Sequence, residues 1–323
     1  MTRDCKVSII IPAYNASEYI EETLDSALQQ VYKNIEIIIV DDDSTDDTWS
    51  IINNYCNNFP NLIKVYKNKG KGACAARNYG FELSSGNYIQ YLDADDILNP
   101  QKIEKQMELL QSFGDNIIVS CYWGRFYKNW NSVNWKEQLI NKDYCDPINW
   151  LIDSWDNKGM GQTSIWLTPR SLIESAGLWN ENLLINQDGE FFSRVLLRSK
   201  GIKFCKEAKV YYRSGNLNSI TSKNKFGKAK AISLLMSYNL YESNCKNYID
   251  SSRVKKSLAN NYLIYIFHYY PFFPDLLKSA EDSFYSLGFK KMWAVGEGKF
   301  EKLAKFVGFK NALLIRELIK KTK

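Results

Sequence analysis

The chain has 323 residues, of which 45% are hydrophobic and 24% are charged, with 42 lysines and arginines against 36 acidic residues. This composition is typical of a globular protein, and a net charge of +6 is too small to indicate a nucleic-acid-binding protein by itself. The chain has one histidine, His268, which argues against a Ser-His-Asp triad or a multi-histidine zinc site.

The seven cysteines are scattered and include no C-x-x-C pair, which argues against a disulfide framework or a structural zinc and favours a reducing compartment. Residues 1–6 carry no apolar run of signal-peptide length, and the longest apolar stretch, 262–273, is too short to span a bilayer. We therefore expect a cytoplasmic protein, with any membrane contact peripheral at the inner face of the plasma membrane.

The first hundred residues alternate between strand and helix patterns, which predicts a mainly parallel sheet flanked by helices. Strand patterns occur at 7–11, 35–40, 62–66 and 88–92, and the β-branched residues of the first two predict strands that are buried on both faces. Helices are predicted to start at Ser17, at Ser44 or Thr45, at Ala73, and at Asn99-Pro100 with the proline as first helical residue.

The rest of the chain is less regular up to about residue 215 and helical afterwards. Further elements are predicted as a strand at 117–121, an irregular stretch to about 158, a short helix after Thr168-Pro169, a helix at 188–198 and a strand at 210–212. We expect one α/β domain over 1–215, with halves at about 1–100 and 101–215, followed by a helical region over 216–323.

Two acidic clusters follow predicted strands, at 41–43 and at Asp93, Asp95 and Asp96. Ligands of an open parallel sheet bind outside the carboxyl ends of its strands. Crowded carboxylates repel one another unless a cation holds them, and Mg²⁺ or Mn²⁺ takes oxygen ligands shared with substrate phosphates. We predict a metal site at the second cluster, with helix capping as the alternative, whereas Asp46 and Asp47 are interpreted as caps.

The segment 69–72 and Arg77 add positive charge and glycines before a helix, an arrangement that suits a phosphate. We predict phosphate contacts for Lys71 and Arg77, while Lys69 is equally well explained as a solvated loop residue.

Four motifs in order, at 7–15, 40–44, 75–78 and 92–96, resemble those of the family 2 glycosyltransferases, which adopt the GT-A fold. The resemblance implies inverting transfer of a sugar from a nucleotide-sugar donor, with Mg²⁺ or Mn²⁺ on the diphosphate. It also implies a base pocket lined by Pro12 and Tyr14, with Asp42 on the base or ribose. It further implies that Asp93 and Asp95 contact the donor, including its ribose, and that Asp95 and Asp96 hold the metal. Asp43 stands where the family usually has glycine.

The segment 186–194 is similar to the family's acidic pair at a helix start, one member of which is the general base. Gln187 stands where an acid is common, so we predict Asp188 as the base that takes the proton of the acceptor hydroxyl. The alternatives are an N-cap role for Asp188 and an ion pair between Glu190 and Arg194. Glu190 is left open between that pair and an acceptor contact.

Seven of the nine tryptophans lie between residues 123 and 179. Aromatic faces pack against sugar rings, so we predict Trp123 and Trp179 as walls of an acceptor site, with a core role as the alternative for each.

The leading hypothesis is an inverting glycosyltransferase that builds a cell-surface polysaccharide, glycolipid or glycan on a glycan or lipid-linked acceptor. The competing readings are a non-catalytic nucleotide-sugar-binding partner and a sugar nucleotidyltransferase. The latter requires a glycine-rich basic loop after the first strand, and 12–15 contains none.

Residues 299–323 carry eight basic and two acidic side chains and so account for the whole surplus of six charges. The segment also has apolar residues at helical spacing. It is predicted either to bind an anionic membrane surface or to pack on the domain with its lysines in water.

Overall fold

The computed structural model describes residues 5–215, 227–296 and 298–321, and these form two compact units. The described residues of the first unit are 5–154, 158–181 and 191–215. Those of the second unit are 155–157, 182–190, 227–296 and 298–321. The second unit thus combines the C-terminal helices with two short segments that precede residue 215.

Nine strands occur in the described residues: β1 (Val7–Ala13), β2 (Ile35–Asp41), β3 (Ile63–Lys67), β4 (Tyr88–Tyr91), β5 (Ile97–Leu98), β6 (Ile118–Phe126), β7 (Asn134–Trp135), β8 (Thr168–Pro169) and β9 (Ile202–Arg213). The same residues form twelve α-helices: α1 (Ile20–Leu28), α2 (Thr48–Asn58), α3 (Ala73–Leu83), α4 (Lys102–Phe113), α5 (Pro147–Trp155), α6 (Arg170–Ala176), α7 (Gln187–Arg198), α8 (Lys228–Asn244), α9 (Ser252–Tyr269), α10 (Pro274–Ser286), α11 (Gly298–Val307) and α12 (Phe309–Lys321).

The main sheet has the strand order β3-β2-β1-β4-β8, with β1 to β4 parallel and β8 antiparallel to β4. Every residue of β2 is buried, as expected for a strand covered by helices on both faces. Helix α3 approaches β1 so closely that a Cβ on Gly80 would lie 2.5 Å from Cγ2 of Ile10. Because β2, β1 and β4 are adjacent and parallel, their carboxyl ends lie side by side at one edge of the sheet.

A smaller sheet has the order β5-β9-β6-β7. Strands β6 and β9 are parallel, whereas β5 pairs antiparallel with β9. Because β5 begins at Ile97, the second acidic cluster occupies the short connection between the main sheet and the smaller one.

Helices α1 and α2 begin three or more residues later than predicted, and polar side chains near their starts bond across the loops. The Oδ2 atom of Asp46 accepts a hydrogen bond from the N–H of Ser17 at 3.1 Å. The hydroxyl of Ser44 accepts one from the N–H of Asn15 at 3.0 Å. The predicted caps at Ser17 and at Ser44 or Thr45 are therefore wrong. Asp46, interpreted as a cap, does accept a hydrogen bond from the N–H of Thr48 at the start of α2 at 3.0 Å, and Asp47 occupies the N-cap position without a side-chain bond.

Helix α4 starts at Lys102 rather than at Pro100, and α5 lies in the stretch predicted to be irregular. Strand β9 begins eight residues before the strand predicted at 210–212. In the second unit, α8 to α12 confirm the helical pattern of the C-terminal region over its described residues. Within that part of the chain, none of the helices combines the length and apolarity needed to cross a bilayer.

Lys102 is fully buried in the first unit. Its ammonium donates to the Oε1 atoms of Gln90 and, at 2.6 Å, of Gln106. The two amides donate in turn to backbone carbonyls of Ser164 and Ile165, both at 2.9 Å. This network ties α4 to β4 and to the turn before β8, and burial lowers the pKa of Lys102 to about 8.

We expect the stability of the wild type relative to Lys102→Met to rise by up to about 3 kcal/mol between pH 8 and 10.5. In that window the folded protein has released the Lys102 proton while the unfolded chain still binds it, so raising the pH favours folding. Urea unfolding at several pH values measures the difference. The partly exposed Lys105, changed to methionine, serves as the control, and a Lys102 difference independent of pH would contradict the prediction.

Candidate active site

Asp42 is fixed at the sheet edge by three hydrogen bonds. Its N–H donates to the carbonyl of Ala13 at 2.8 Å, so the ends of β1 and β2 are joined. Its Oδ1 atom accepts from Nδ2 of Asn68 at 2.7 Å, and its Oδ2 atom accepts from the N–H of Gly72 at 2.8 Å. Gly72 has a φ of +89°, a conformation that glycine adopts without steric cost. The partly exposed carboxylate is therefore held in one orientation beside the start of α3.

The two neighbours of Asp42 have structural roles. Asp41 is buried, and its Oδ2 atom accepts from the ammonium of Lys67 at 2.7 Å and from the N–H of Ser44 at 3.2 Å. Asp43 has a φ of +58°, in the left-handed region that aspartate enters more readily than most residues. The aspartate in place of the usual glycine thus keeps a left-handed conformation in this turn.

Three other residues predicted to bind the donor have accessible side chains in loops or at strand ends along this edge. Tyr14 follows β1 and is 59% exposed, and Pro12 is partly exposed near the end of the same strand. Lys71 is exposed in the connection from β3 to α3. These positions leave all three side chains available to a ligand that lies across the ends of β1 to β3.

Arg77 is buried in α3 and reaches the second acidic cluster. Its Nη2 atom lies 2.7 Å from Oδ1 of Asp93, and its guanidinium lies 4.5 Å from the centre of the Trp179 ring. Because only 6% of Arg77 is exposed, the structure places it behind Asp93 rather than at the surface. We therefore assign Arg77 the positioning of Asp93 instead of a direct phosphate contact.

The second cluster contains carboxylates in different environments. Asp93 and Asp95 are partly exposed, whereas Asp96 is fully buried. The Oδ1 atom of Asp96 accepts from the N–H of Arg213 at 3.0 Å, and the guanidinium of Arg213 donates to the carbonyl of Asp95 at 3.0 Å. Burial raises the pKa of Asp96 well above its usual range, and the carboxylates of Asp95 and Asp93 add to the shift.

These residues fit a divalent cation only if the substrate supplies part of its ligands. In the described ranges, no three Asp, Glu, His or Cys side chains converge to hold an ion. The Oδ2 atom of Asp96 is nevertheless buried without a hydrogen-bond partner, and the partly exposed Asp95 is its neighbour. One or two carboxylates completed by diphosphate oxygens form a common Mg²⁺ or Mn²⁺ site. Asp95 is the better placed ligand, since the buried Asp96 is already bonded to the backbone of Arg213.

Trp179 belongs to the core, contrary to the predicted role as an acceptor wall. Its ring stacks on Phe191 at 4.0 Å, the Arg77 guanidinium lies over it, and only 2% of the residue is exposed. The Oδ1 atom of Asn78 accepts a hydrogen bond from the N–H of Trp179 at 2.8 Å, and its Nδ2 atom donates to the Trp179 carbonyl at 2.9 Å. Trp123 is partly exposed and donates to the carbonyl of Met160 at 2.9 Å, so its acceptor role stays a prediction.

Asp188 lies in the second unit, in the first turn of α7. The preceding Asn186 has a φ of +56° and donates from Nδ2 to the hydroxyls of Ser237 and Tyr241, both on α8, at 2.8 Å. A Cβ on Gly189 would lie 2.1 Å from the Tyr241 hydroxyl, so glycine is required there. The start of α7 is thus built against α8, and Asp188 remains partly exposed.

The other two residues of this segment have buried or structural environments. Glu190 is 2% exposed, and Nδ2 of Asn244 lies 3.5 Å from its Oε1 atom. That burial disfavours the acceptor contact considered for Glu190. Arg194 donates to the carbonyls of Ala176, Gly177 and Leu178 at 2.6 to 2.8 Å, which stabilises the end of α6. The Glu190–Arg194 ion pair stays a prediction.

Comparison with known proteins identifies the family. The family model described as glycosyl transferase family 2 matches residues 8–169, which is half of the chain, so the chain belongs to this family. The segment 8–169 includes Asp42, helix α3 with Arg77, and the second acidic cluster. The predicted family is thereby confirmed.

Two curated relatives are named as glycosyltransferases with a stated reaction or biosynthetic process. The chain is 48% identical over 106 residues to the UDP-Glc:alpha-D-GlcNAc-diphosphoundecaprenol beta-1,3-glucosyltransferase WfaP of Escherichia coli. It is 43% identical over 104 residues to TuaG of Bacillus subtilis, a putative teichuronic acid biosynthesis glycosyltransferase. The matches cover 33% and 32% of this chain, and 41% of each relative.

Solved structures confirm the predicted GT-A fold. Residues 1–349 of S. aureus TarS, in complex with UDP-GlcNAc, give a TM-score of 0.59 at 16% identity over 87% of this chain and 89% of that one. The mannosyltransferase PcManGT of Pyrobaculum calidifontis, in complex with GDP-Man and Mn²⁺, gives 0.55 at 16% identity over 98% and 87%. At these identities the likeness establishes the fold alone.

Proposed function

We propose that the chain is an inverting glycosyltransferase that moves a sugar from a nucleotide-sugar donor to a hydroxyl of a glycan or lipid-linked acceptor. The observation that carries the proposal is the edge of the main sheet, where Asp42 and Asp93 are each held by buried or backbone donors while Tyr14 stays exposed. Prepared carboxylates beside an open aromatic ring suit a nucleotide whose base, ribose and diphosphate each need a partner.

On the donor side, Pro12 and Tyr14 line the base and Asp42 accepts a hydrogen bond from the base or ribose. Asp93, braced by Arg77, accepts from the ribose, and the Lys71 ammonium lies toward the diphosphate. Asp95, with Asp96 behind it, would hold Mg²⁺ or Mn²⁺. When bound, such an ion neutralises charge that develops on the leaving diphosphate.

In the transfer itself, the acceptor oxygen forms a bond to the anomeric carbon while the bond from that carbon to the diphosphate breaks. Asp188 takes the proton of the acceptor hydroxyl as the new bond forms. The electron pair of the broken bond leaves with the nucleoside diphosphate, whose charge the basic side chains stabilise. Direct displacement of this kind inverts the configuration at the anomeric carbon.

For the acceptor, the names of WfaP and TuaG support cell-surface glycan assembly, in the case of WfaP on a diphosphoundecaprenol carrier. We extend that class of acceptor to this chain and assign Trp123 to the acceptor site. A lipid-linked acceptor is consistent with a protein that works at the inner face of the plasma membrane.

The test is a panel of nucleotide-sugars, each incubated with the purified protein and Mn²⁺. A bound donor should raise the melting temperature, because at about 100 times its Kd a ligand adds roughly 2.7 kcal/mol to stability. The same donor should release its nucleoside diphosphate slowly, and faster when an acceptor is supplied. NMR of the product should show the inverted anomer.

Tight binding without release from any donor would favour the non-catalytic binding partner. Release of pyrophosphate from a nucleoside triphosphate and a sugar phosphate would favour the nucleotidyltransferase. Retention of the anomeric configuration in the product would contradict direct displacement.

A further inference from the structure

Helix α12 is apolar on two sides, and one of them packs within the second unit. The buried side chains of this inner side are Phe309, Ala312 and Leu313. Arg316 continues the same side, since its guanidinium donates to the carbonyls of Phe267 and Tyr270 at 2.8 and 3.0 Å. The inner side therefore docks on the end of α9. Such docking is what the second prediction for residues 299–323, packing on the domain, required.

The outer side of α12 remains apolar and exposed. Leu314 and Leu318 are 52% and 63% exposed, at spacings that place them away from the docked side. In α11, Phe306 is 90% exposed, more than any other large apolar side chain in the described part of the chain. We call the exposed sides of these two helices the α11–α12 outer surface.

Lysines surround these apolar side chains. The exposed lysines of the two helices are Lys299, Lys302, Lys305, Lys310 and Lys320. Three of them bond to carboxylates at 2.6 to 2.8 Å, yet the segment 299–323 contains two acidic residues against eight basic ones. The α11–α12 outer surface thus combines exposed apolar groups with five exposed lysines, in a segment, 299–323, whose sequence carries a net charge of +6.

Exposed apolar side chains among lysines match the surface of an anionic bilayer. The apolar side chains can enter the boundary of the acyl chains, and the lysines can bind the headgroup phosphates. A second copy of the chain fits less well, because two lysine-rich surfaces repel each other. A handful of apolar side chains is also far below the roughly 20 residues a side of a stable protein interface.

We propose that the α11–α12 outer surface binds an anionic lipid bilayer, with Phe306 and Leu314 entering the acyl boundary and the lysines on headgroup phosphates. Docking on α9 and membrane binding are then complementary, since they use opposite sides of α12. This inference is independent of the proposed transfer reaction, because it concerns binding and not turnover.

The experiment is sedimentation of the full chain with phosphatidylcholine vesicles that contain or lack phosphatidylglycerol. We expect stronger binding to the anionic vesicles, lowered about tenfold or more in Phe306→Gln/Leu314→Gln and weakened by added salt. The matched control is Phe113→Gln/Leu139→Gln, which also removes one exposed phenylalanine and one exposed leucine, and should bind as the wild type does.

Lys302→Gln/Lys305→Gln provides a second measurement that leaves the apolar side chains in place and should remove the preference for anionic vesicles. Equal binding of wild type and Phe306→Gln/Leu314→Gln, both with unchanged circular dichroism, would overturn the proposal. So would a wild-type dimer in light scattering that the same substitutions dissociate, since a second copy would then cover this surface.

Discussion

Replacing Asp188 by asparagine should lower turnover about 10²- to 10⁴-fold while donor affinity changes by less than about twofold. The amide has the shape of the carboxylate and can still accept the 2.9 Å hydrogen bond from the N–H of Gly189, so the start of α7 is preserved. It cannot take a proton from the acceptor hydroxyl. Single-turnover kinetics with acceptor, together with donor binding by calorimetry, separate the two quantities.

The matched control is Asp275→Asn, which changes an exposed aspartate in the first turn of α10, in the same unit. Both substitutions remove one negative charge from a helix start, so they should alter stability to a similar, small extent. Wild-type turnover in Asp188→Asn would show that another group accepts the proton. Equal losses in both variants would indicate a general electrostatic effect.

Replacing Asp95 by alanine should lower turnover about 10²-fold or more. The side chain is partly exposed, and its loss removes the best placed oxygen ligand of the second cluster. Because a weakened metal site fills again at higher concentration, raised Mn²⁺ should restore part of the activity. Initial rates over a Mn²⁺ titration measure both effects, with a thermal melt to verify the fold.

Asp250→Ala, at an exposed turn outside the cluster, is the control for Asp95→Ala and should keep wild-type rates at all Mn²⁺ concentrations. An Asp95 variant with full activity would exclude this carboxylate as a ligand. A variant with low activity that Mn²⁺ does not restore would instead assign Asp95 to the donor's ribose.

The parallel strands β1 and β2 could be predicted because runs rich in β-branched residues have few other uses in a globular protein. Helix starts were harder, since Ser and Asp side chains satisfy either a helix end or a neighbouring loop, and Asp46 bonds to Ser17 across 29 positions. Helix α5 was overlooked although Asp146-Pro147 is typical of a helix start, with Asp146 accepting from the N–H of Ile148 at 3.4 Å.

The position of the acidic clusters followed from the strands, but the roles within them did not. Whether an aspartate is exposed depends on distant partners, and Asp96 is bonded to Arg213, 117 positions away. The same holds for Asn68, which sequence reasoning missed although it orients Asp42. Trp179 was assigned to the acceptor because a tryptophan that stacks on Phe191 has the same local sequence signals as one that stacks on a sugar.

The anchoring of Asn186 on Ser237 and Tyr241 bears on how this chain can be divided or recombined. The proposed base belongs to the module of C-terminal helices, whereas the donor loops lie within residues 8–169, matched by the family model. A chimera that exchanges everything after residue 215 would separate Asp188 from the helix that holds it. Exchange of a relative's 182–190 together with its counterpart of α8 would instead transplant the base as an intact part.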